Sequence, residues 1–168
     1  TVLGVNDAPV IDLDANDSTS TGANFAATFS EDSGGVVIAD SDATITDIDN
    51  TNLQSLTITI TNLLDGAAEA LDADVSGTAI AKSYDSGTGI LTLSGADTLA
   101  NYQQVLRTVT YNNTSQDPDT TARSVTFVVN DGAADSNIAT TTVTVLGVND
   151  APVIDLDAND STSTGANF

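Results

Sequence analysis

Twenty-five residues, Thr1 to Phe25 (TVLGVNDAPVIDLDANDSTSTGANF), return unchanged as Thr144 to Phe168, so the chain holds one period of 143 residues and the opening of a second. A period of that length constrains the fold more than any other feature. It far exceeds the roughly 20–50-residue units of solenoids, which need neighbours to complete their core. It is long enough to bury a core of its own. Each period is therefore expected to fold alone, with tandem copies strung like beads. Such copies suit reach, spacing and multivalent display better than a unique active site.

The formal charge is −21, from 24 acids against Lys82, Arg107 and Arg123; all the acids are Asp except Glu31 and Glu69. Charge alone would favour disorder, but 40% of the residues are hydrophobic and they alternate, which argues for a folded domain. A chain so acidic repels itself unless cations neutralise it. The short Asp carboxylate suits turns and loops that hold hard cations. Acids that only keep the surface soluble are the plainer explanation of composition taken alone.

Three basic residues cannot form a phosphate-binding stripe, which argues against nucleic acid as a partner. Cys, His, Met and Trp are absent, removing disulfides, thiolate and imidazole metal sites and the commonest acid–base and nucleophilic pairs. Paired carboxylates such as Asp72 with Asp74 lack an aromatic platform for sugar chemistry, so no enzyme is expected. The cysteine-free, acidic composition fits export from bacteria. No apolar run reaches the ~18 residues that insertion into a membrane would need.

Period-two alternation of β-branched residues marks strands at Ser55 to Thr61, Thr78 to Lys82, Gly89 to Leu93, Val105 to Tyr111, Ser124 to Val129 and Ile138 to Val145. Asp65-Gly66, Ser76-Gly77, Ser86-Gly87 and Asp131-Gly132 read as turns. One short helix is expected over Thr98 to Leu106, capped by Asp97. The fold class is all-β: an antiparallel β-sandwich with at most one short helix, arranged as tandem repeats. Gly147-Val148-Asn149-Asp150-Ala151-Pro152 reads as a linker. Residues 1–7 then form a linker and the end of a preceding repeat, 8–148 the sandwich, and 149–168 a linker with the first strand of the next repeat.

The hairpin and linker Val128-Val129-Asn130-Asp131-Gly132, Thr140 to Val145 and Asn149-Asp150-Ala151-Pro152-Val153 resemble the end of a cadherin repeat. Phe29-Ser30-Glu31-Asp32-Ser33-Gly34 resembles its early glutamate stretch, and Thr46-Asp47-Ile48-Asp49 its Asp-x-Asp motif. The whole unit is similar to the cadherin-like repeats of giant RTX-type adhesins that bacteria export by type I secretion. The resemblance implies that the sandwich is cadherin- or immunoglobulin-like, with calcium at the linkers and an extracellular or cell-surface location. Departures from the family pattern are Gly147 where its linker opens on Asp, the lack of a Leu-Asp-Arg-Glu motif, and Leu53 where Asn is usual. They imply fewer or weaker ions than the three of a cadherin junction.

Calcium takes six to eight oxygen ligands, and turns bring acids together to supply them. Asp40, Asp42, Asp47 and Asp49 fall within ten residues, and carboxylates two apart on an extended segment share one side. Asn6 and Asp7 are expected to approach this end of the domain, with Asp131 closing the shell. A solvated acidic loop is the competing description. Glu31 serves either this ion or one at the opposite end with Asn149 and Asp150, the resemblance favouring the opposite end, or is a plain surface glutamate. Asp12, Asp14 and Asp17 form either a second calcium loop or an Asx-rich turn.

The function expected is that of a calcium-stabilised extender giving length and stiffness to a secreted adhesin or fibre. Its partners would be neighbouring copies, in the chain or head to tail. The alternative is a calcium-dependent polysaccharide-binding or self-association module of a biofilm matrix, for which Tyr84 is the candidate exposed aromatic.

Overall fold

The computed structural model describes residues 4–156. In chain order its strands are β1 (Val10–Asp12), β2 (Phe25–Ser30), β3 (Val36–Val37), β4 (Thr44–Thr46), β5 (Asn52–Ile60), β6 (Glu69–Asp72), β7 (Ala81–Asp85), β8 (Ile90–Thr98), β9 (Thr110–Asn113), β10 (Arg123–Asn130) and β11 (Ala139–Leu146). Among the described residues a single α-helix, α1 (Leu99–Leu106), lies between β8 and β9. The fold is all-β, with its sheets in a sandwich-like arrangement.

Six strands form one sheet in the order β2-β11-β10-β5-β8-β7, and three form another in the order β3-β9-β6. β1 pairs separately with β4. Alternation drives the larger sheet: Leu56, Ile58 and Ile60 of β5 and Val125, Phe127 and Val129 of β10 point into the core, while Thr57, Thr59, Ser124 and Thr126 face outward. β2 runs parallel to β11, with Thr141 opposite Phe25 and Leu146 opposite Ser30. Phe29 meets Tyr111 of β9 edge to face at 5.4 Å, joining the two main sheets.

β5 and β10 also define two ends. The upper end holds the start of β5, the end of β10 and the Asn130–Asn137 loop; the lower end holds the end of β2, the start of β10 and the end of β11.

Helix α1 begins one residue later than the sequence suggests. Thr98, not Asp97, is its cap: the Thr98 Oγ1 accepts from the Asn101 N–H, while the Asp97 carboxylate takes the Thr98 N–H and the Asn101 side chain. Tyr102, Val105 and Leu106 fill the inward face. Val105 and Leu106 therefore belong to the helix rather than to a strand reaching Tyr111, and β9 starts only at Thr110. The Tyr102 hydroxyl donates to the Gly95 carbonyl at 2.7 Å, and burial pushes its pKa up to about 12. Gly95 adopts φ +132°, and a Cβ there would lie 2.7 Å from the Ala79 carbonyl, so this irregularity in β8 requires glycine.

The strand expected at Thr78 to Lys82 lies instead at Ala81–Asp85. The Ala79 N–H donates to Asp97 and the Ile80 N–H to Thr78 Oγ1, so side chains, not a neighbouring strand, satisfy those amides.

Asp65-Gly66 is more than a turn. Arg123, fully buried at the start of β10, donates to the Glu69 carboxylate, to the Thr121 carbonyl and to Asp65 at 2.7 Å. The Tyr111 hydroxyl and the Leu64 N–H also donate to Glu69, and Asn113 donates to Asp65. This network ties the smaller sheet to the larger one at the lower end. Every charge in it is both paired and hydrogen-bonded, the condition under which burial of ions is tolerated.

Candidate functional site

The upper end gathers five of the ten expected ligands: Asn6, Asp7, Asp47, Asp49 and Asp131. Asp47 follows β4 and opens an Asx turn: its Oδ1 accepts the N–H groups of Asp49 and Asn50 at 3.0 and 2.9 Å. Asp131, in the turn after β10, takes the N–H groups of Ala133 and Ala134 on Oδ1, leaving Oδ2 facing the linker. There Asn6 donates to Asp131 Oδ2 at 2.9 Å, and the Asp7 N–H donates to Asp49 Oδ2 at 3.2 Å. Asn50, which sequence reasoning passed over, bridges Asn6 Oδ1 at 2.9 Å and Asp131 Oδ2 at 3.2 Å. Its place directly after Asp47-Ile48-Asp49 was the signal available.

Asp47 Oδ2 is buried and accepts no hydrogen bond. Burial opposes ionisation of Asp47 and the Asp131 charge adds to that, yet the Asn50 and Asp49 N–H groups hold its pKa below the usual carboxylate value. The site is thus an ionised carboxylate with one oxygen committed to the turn and one left over. Beside it a concavity of about 400 Å³ is lined by Asp7, Ala8, Val10, Thr46, Asp47 and Ile48.

Asp40 and Asp42 do not join this group, because β4 separates them from Asp47 and Asp49. They meet Asp14 instead, with one carboxylate oxygen of each within 4.8 Å of the others. Asp14 is fully buried and saturated: Ser18 donates its N–H and hydroxyl to Oδ1, Thr19 its N–H and hydroxyl to Oδ2, and Ser20 its N–H to Oδ2. Burial opposes its ionisation, but these bonds outweigh that and hold its pKa well below the ordinary value. Asp12 accepts the Asp14 N–H and Asp17 the Gly22 N–H. This segment has the bonding of an Asx-rich turn.

Glu31 lies at the lower end, directly after β2. It is 4% exposed; Oε2 accepts the Val148 N–H at 2.7 Å, and Oε1 is buried without a partner. Asn149 and Asp150 follow Val148 and are exposed. The Asn149 side chain donates to the Asp150 carbonyl at 3.1 Å, just as Asn6 donates to the Asp7 carbonyl at 3.0 Å. The two copies of the linker share this local turn. Their flanking segments differ: Ile11 is fully buried, whereas its counterpart Ile154 is 72% exposed. Residues 157–168, the rest of the expected first strand of a next repeat, lie outside the described residues.

Tyr84 is not the open aromatic platform expected for a sugar. It packs half-buried against the core and donates its hydroxyl to the Glu69 carbonyl at 2.9 Å.

No protein-family model matches the chain, and no curated protein matches it.

Proposed function

We propose that the chain is a calcium-stabilised structural module that extends and stiffens a tandem array displayed outside the cell. One observation carries this reading. Among the described residues, the buried side-chain oxygens without a hydrogen-bond partner are Glu31 Oε1 and Asp47 Oδ2, and both stand at a copy of the same linker. A buried carboxylate oxygen left bare is costly, and a bound cation would remove that cost.

The repeat joins the two half-sites. Val148, Asn149 and Asp150 correspond to Val5, Asn6 and Asp7. In an array, Glu31 of one copy and Asp47, Asp49 and Asp131 of the next therefore face a single linker, together with its own Asn and Asp. All of these donors are oxygens, and the chain has neither His nor Cys. An irregular set of carboxylates and amide carbonyls from several loops suits calcium, which accepts six to eight oxygens in flexible geometry, better than magnesium, which demands a compact octahedron. Bound calcium would neutralise converging charge and fix the linker; the protein residues hold the two modules to it.

Thermal unfolding tests this. Binding to the folded state alone stabilises by about 2.7 kcal/mol at a hundredfold excess over Kd. Chelation should then lower Tm by roughly 5–10 °C, with magnesium restoring little. An unchanged Tm in chelator for a two-period chain, with residues 1–143 joined in front of the sequence, would remove the calcium reading.

A further inference from the structure

Strands β1 and β4 belong to neither main sheet. They pair with each other over three residues, Val10 opposite Thr46, Ile11 opposite Ile45 and Asp12 opposite Thr44. A two-stranded ribbon this short has little stability of its own. Yet it carries two segments of the candidate site. Asn6 and Asp7 lead into β1, and Asp47 and Asp49 follow β4, so both segments arrive at the Val10–Thr46 end.

Side chains take up the backbone groups along both edges of the ribbon. The Ile11 N–H donates to Asn137 Oδ1 at 3.0 Å, and the Asn137 side-chain nitrogen donates to the Ile11 carbonyl at 2.9 Å. On the other edge the Ile45 N–H donates to Gln103 Oε1 at 3.2 Å, and Arg107 donates to the Ala43 carbonyl at 3.0 Å. Alternate pairs of an antiparallel ladder exchange no bonds with each other, and Ile11 with Ile45 is such a pair. Gln103 and Arg107 hang the ribbon on helix α1 and the residue after it. Asn137 ties it to the loop that carries Asp131.

That last tie differs from the others between the same segments. Asn6 of the linker and Asn50 of the Asp47 turn also bond to the Asp131 loop, but both end on Asp131 Oδ2, an oxygen that a cation would need. The Asn137 pair joins residues 126 positions apart and occupies none of the site's carboxylates. Ile11 is fully buried while Asn137 is exposed, so the grip reaches a fixed point of the core from a side chain that contributes little to packing.

We propose that Asn137 is the positioning residue of the upper site: by holding both polar groups of Ile11 it keeps the linker and the Asp47 turn aligned with Asp131, so that their oxygens converge before an ion arrives. The role rests on the calcium-stabilised tandem array proposed above. Asn137 itself touches no ion. An aligned site binds more tightly because less ordering is needed on binding.

The two-period chain allows one substitution to be made in two places. Asn137→Ala in the second copy lies where the copies meet, and it should weaken the tightest calcium site about tenfold, as outer-shell changes do. Asn137→Ala in the first copy removes the same two bonds away from that meeting point, and it should leave the tight site within about twofold, as independent positions behave. Calorimetry on folded chains reads both. An equal effect from either copy, or no effect from the second, would overturn the proposal. A second measurement needs no calcium. The chain has no cysteine, so Val5→Cys and Ala133→Cys, at exposed positions of the linker and the Asp131 loop, accept one pair of spin labels. In chelator the distance distribution of the single chain should be roughly doubled in width by Asn137→Ala, as local opening frees the ribbon. Equal widths would overturn the alignment whether or not calcium binds. A broadened distribution in a chain that binds no calcium would support the alignment and remove the calcium reading alone.

Discussion

The Val148 N–H donates to Glu31 Oε2 at 2.7 Å, joining residues 117 positions apart, and leaves Glu31 Oε1 buried beside the linker with no hydrogen to accept. The glutamate holds the Val148 N–H with one oxygen, and under the proposed function the other takes the cation. A carboxylate is required for the second task but not for the first.

That division makes Glu31→Gln informative. The amide oxygen still accepts from Val148, and the bare buried charge disappears. In chelator the variant should be at least as stable as the parent, and in calcium it should gain less. Calcium affinity of the two-period chain should fall about tenfold or more if a charged ligand is lost, ~1.4 kcal/mol per decade. Denaturant titrations with and without calcium check the crossing; a variant weakened equally in both conditions would mean that Glu31 acts only as a structural clamp.

Asp14 gives a prediction in pH. Its folded pKa lies below the ordinary 3.8, so the stability it contributes is fully present above about pH 4 and is lost as pH falls through the lower folded value. Asp14→Asn should therefore destabilise the protein near neutrality and flatten the loss of stability between about pH 4 and pH 2. Urea midpoints measured across that range for both proteins test it. Parallel curves would mean that Asp14 carries no linked proton.

The buried network at the lower end should dominate over the surface ion pair. Arg123→Met strands the Glu69 and Asp65 carboxylates and should cost about 3–5 kcal/mol. Lys82→Met removes the partly exposed pair with Asp72 and one hydrogen bond to the Ala73 carbonyl, and should change stability by about 0–1 kcal/mol. Urea unfolding separates these outcomes. Similar losses for the two variants would contradict the assignment of the Arg123 network as the lower-end tie.

The contrast between Arg123 and Asp47 explains what the sequence made legible. The sheet strands β5, β10 and β11 were readable because half-buried strands impose alternation, and Asp47-Ile48-Asp49 was readable because an Asx turn has a local signature. Asp40 and Asp42 looked equivalent to Asp47 and Asp49 by spacing, but three residues of β4 carry the two pairs apart, and only pairing with β1 reveals it. Asp12, Asp14 and Asp17 left a calcium loop and an Asx-rich turn open, because the saturation of Asp14 by Ser18, Thr19 and Ser20 depends on a turn that alternation does not encode. Arg123 and Glu69 are 54 residues apart and carry no motif, so their pairing emerges only when the two sheets close. Helix α1 was visible from Leu99, Tyr102 and Leu106, yet its end was obscured because Val105 to Tyr111 also alternates.

The central claim is that calcium is held where two copies meet, and calorimetric titration of the single and two-period chains with calcium tests it most directly. The account predicts at least one site in the two-period chain that binds about tenfold or more tightly than any site in the single chain, because only there does Glu31 of one copy share the linker with Asp47, Asp49 and Asp131 of the next. The same affinities in both chains, with sites simply doubled, or no binding heat in either, would contradict it.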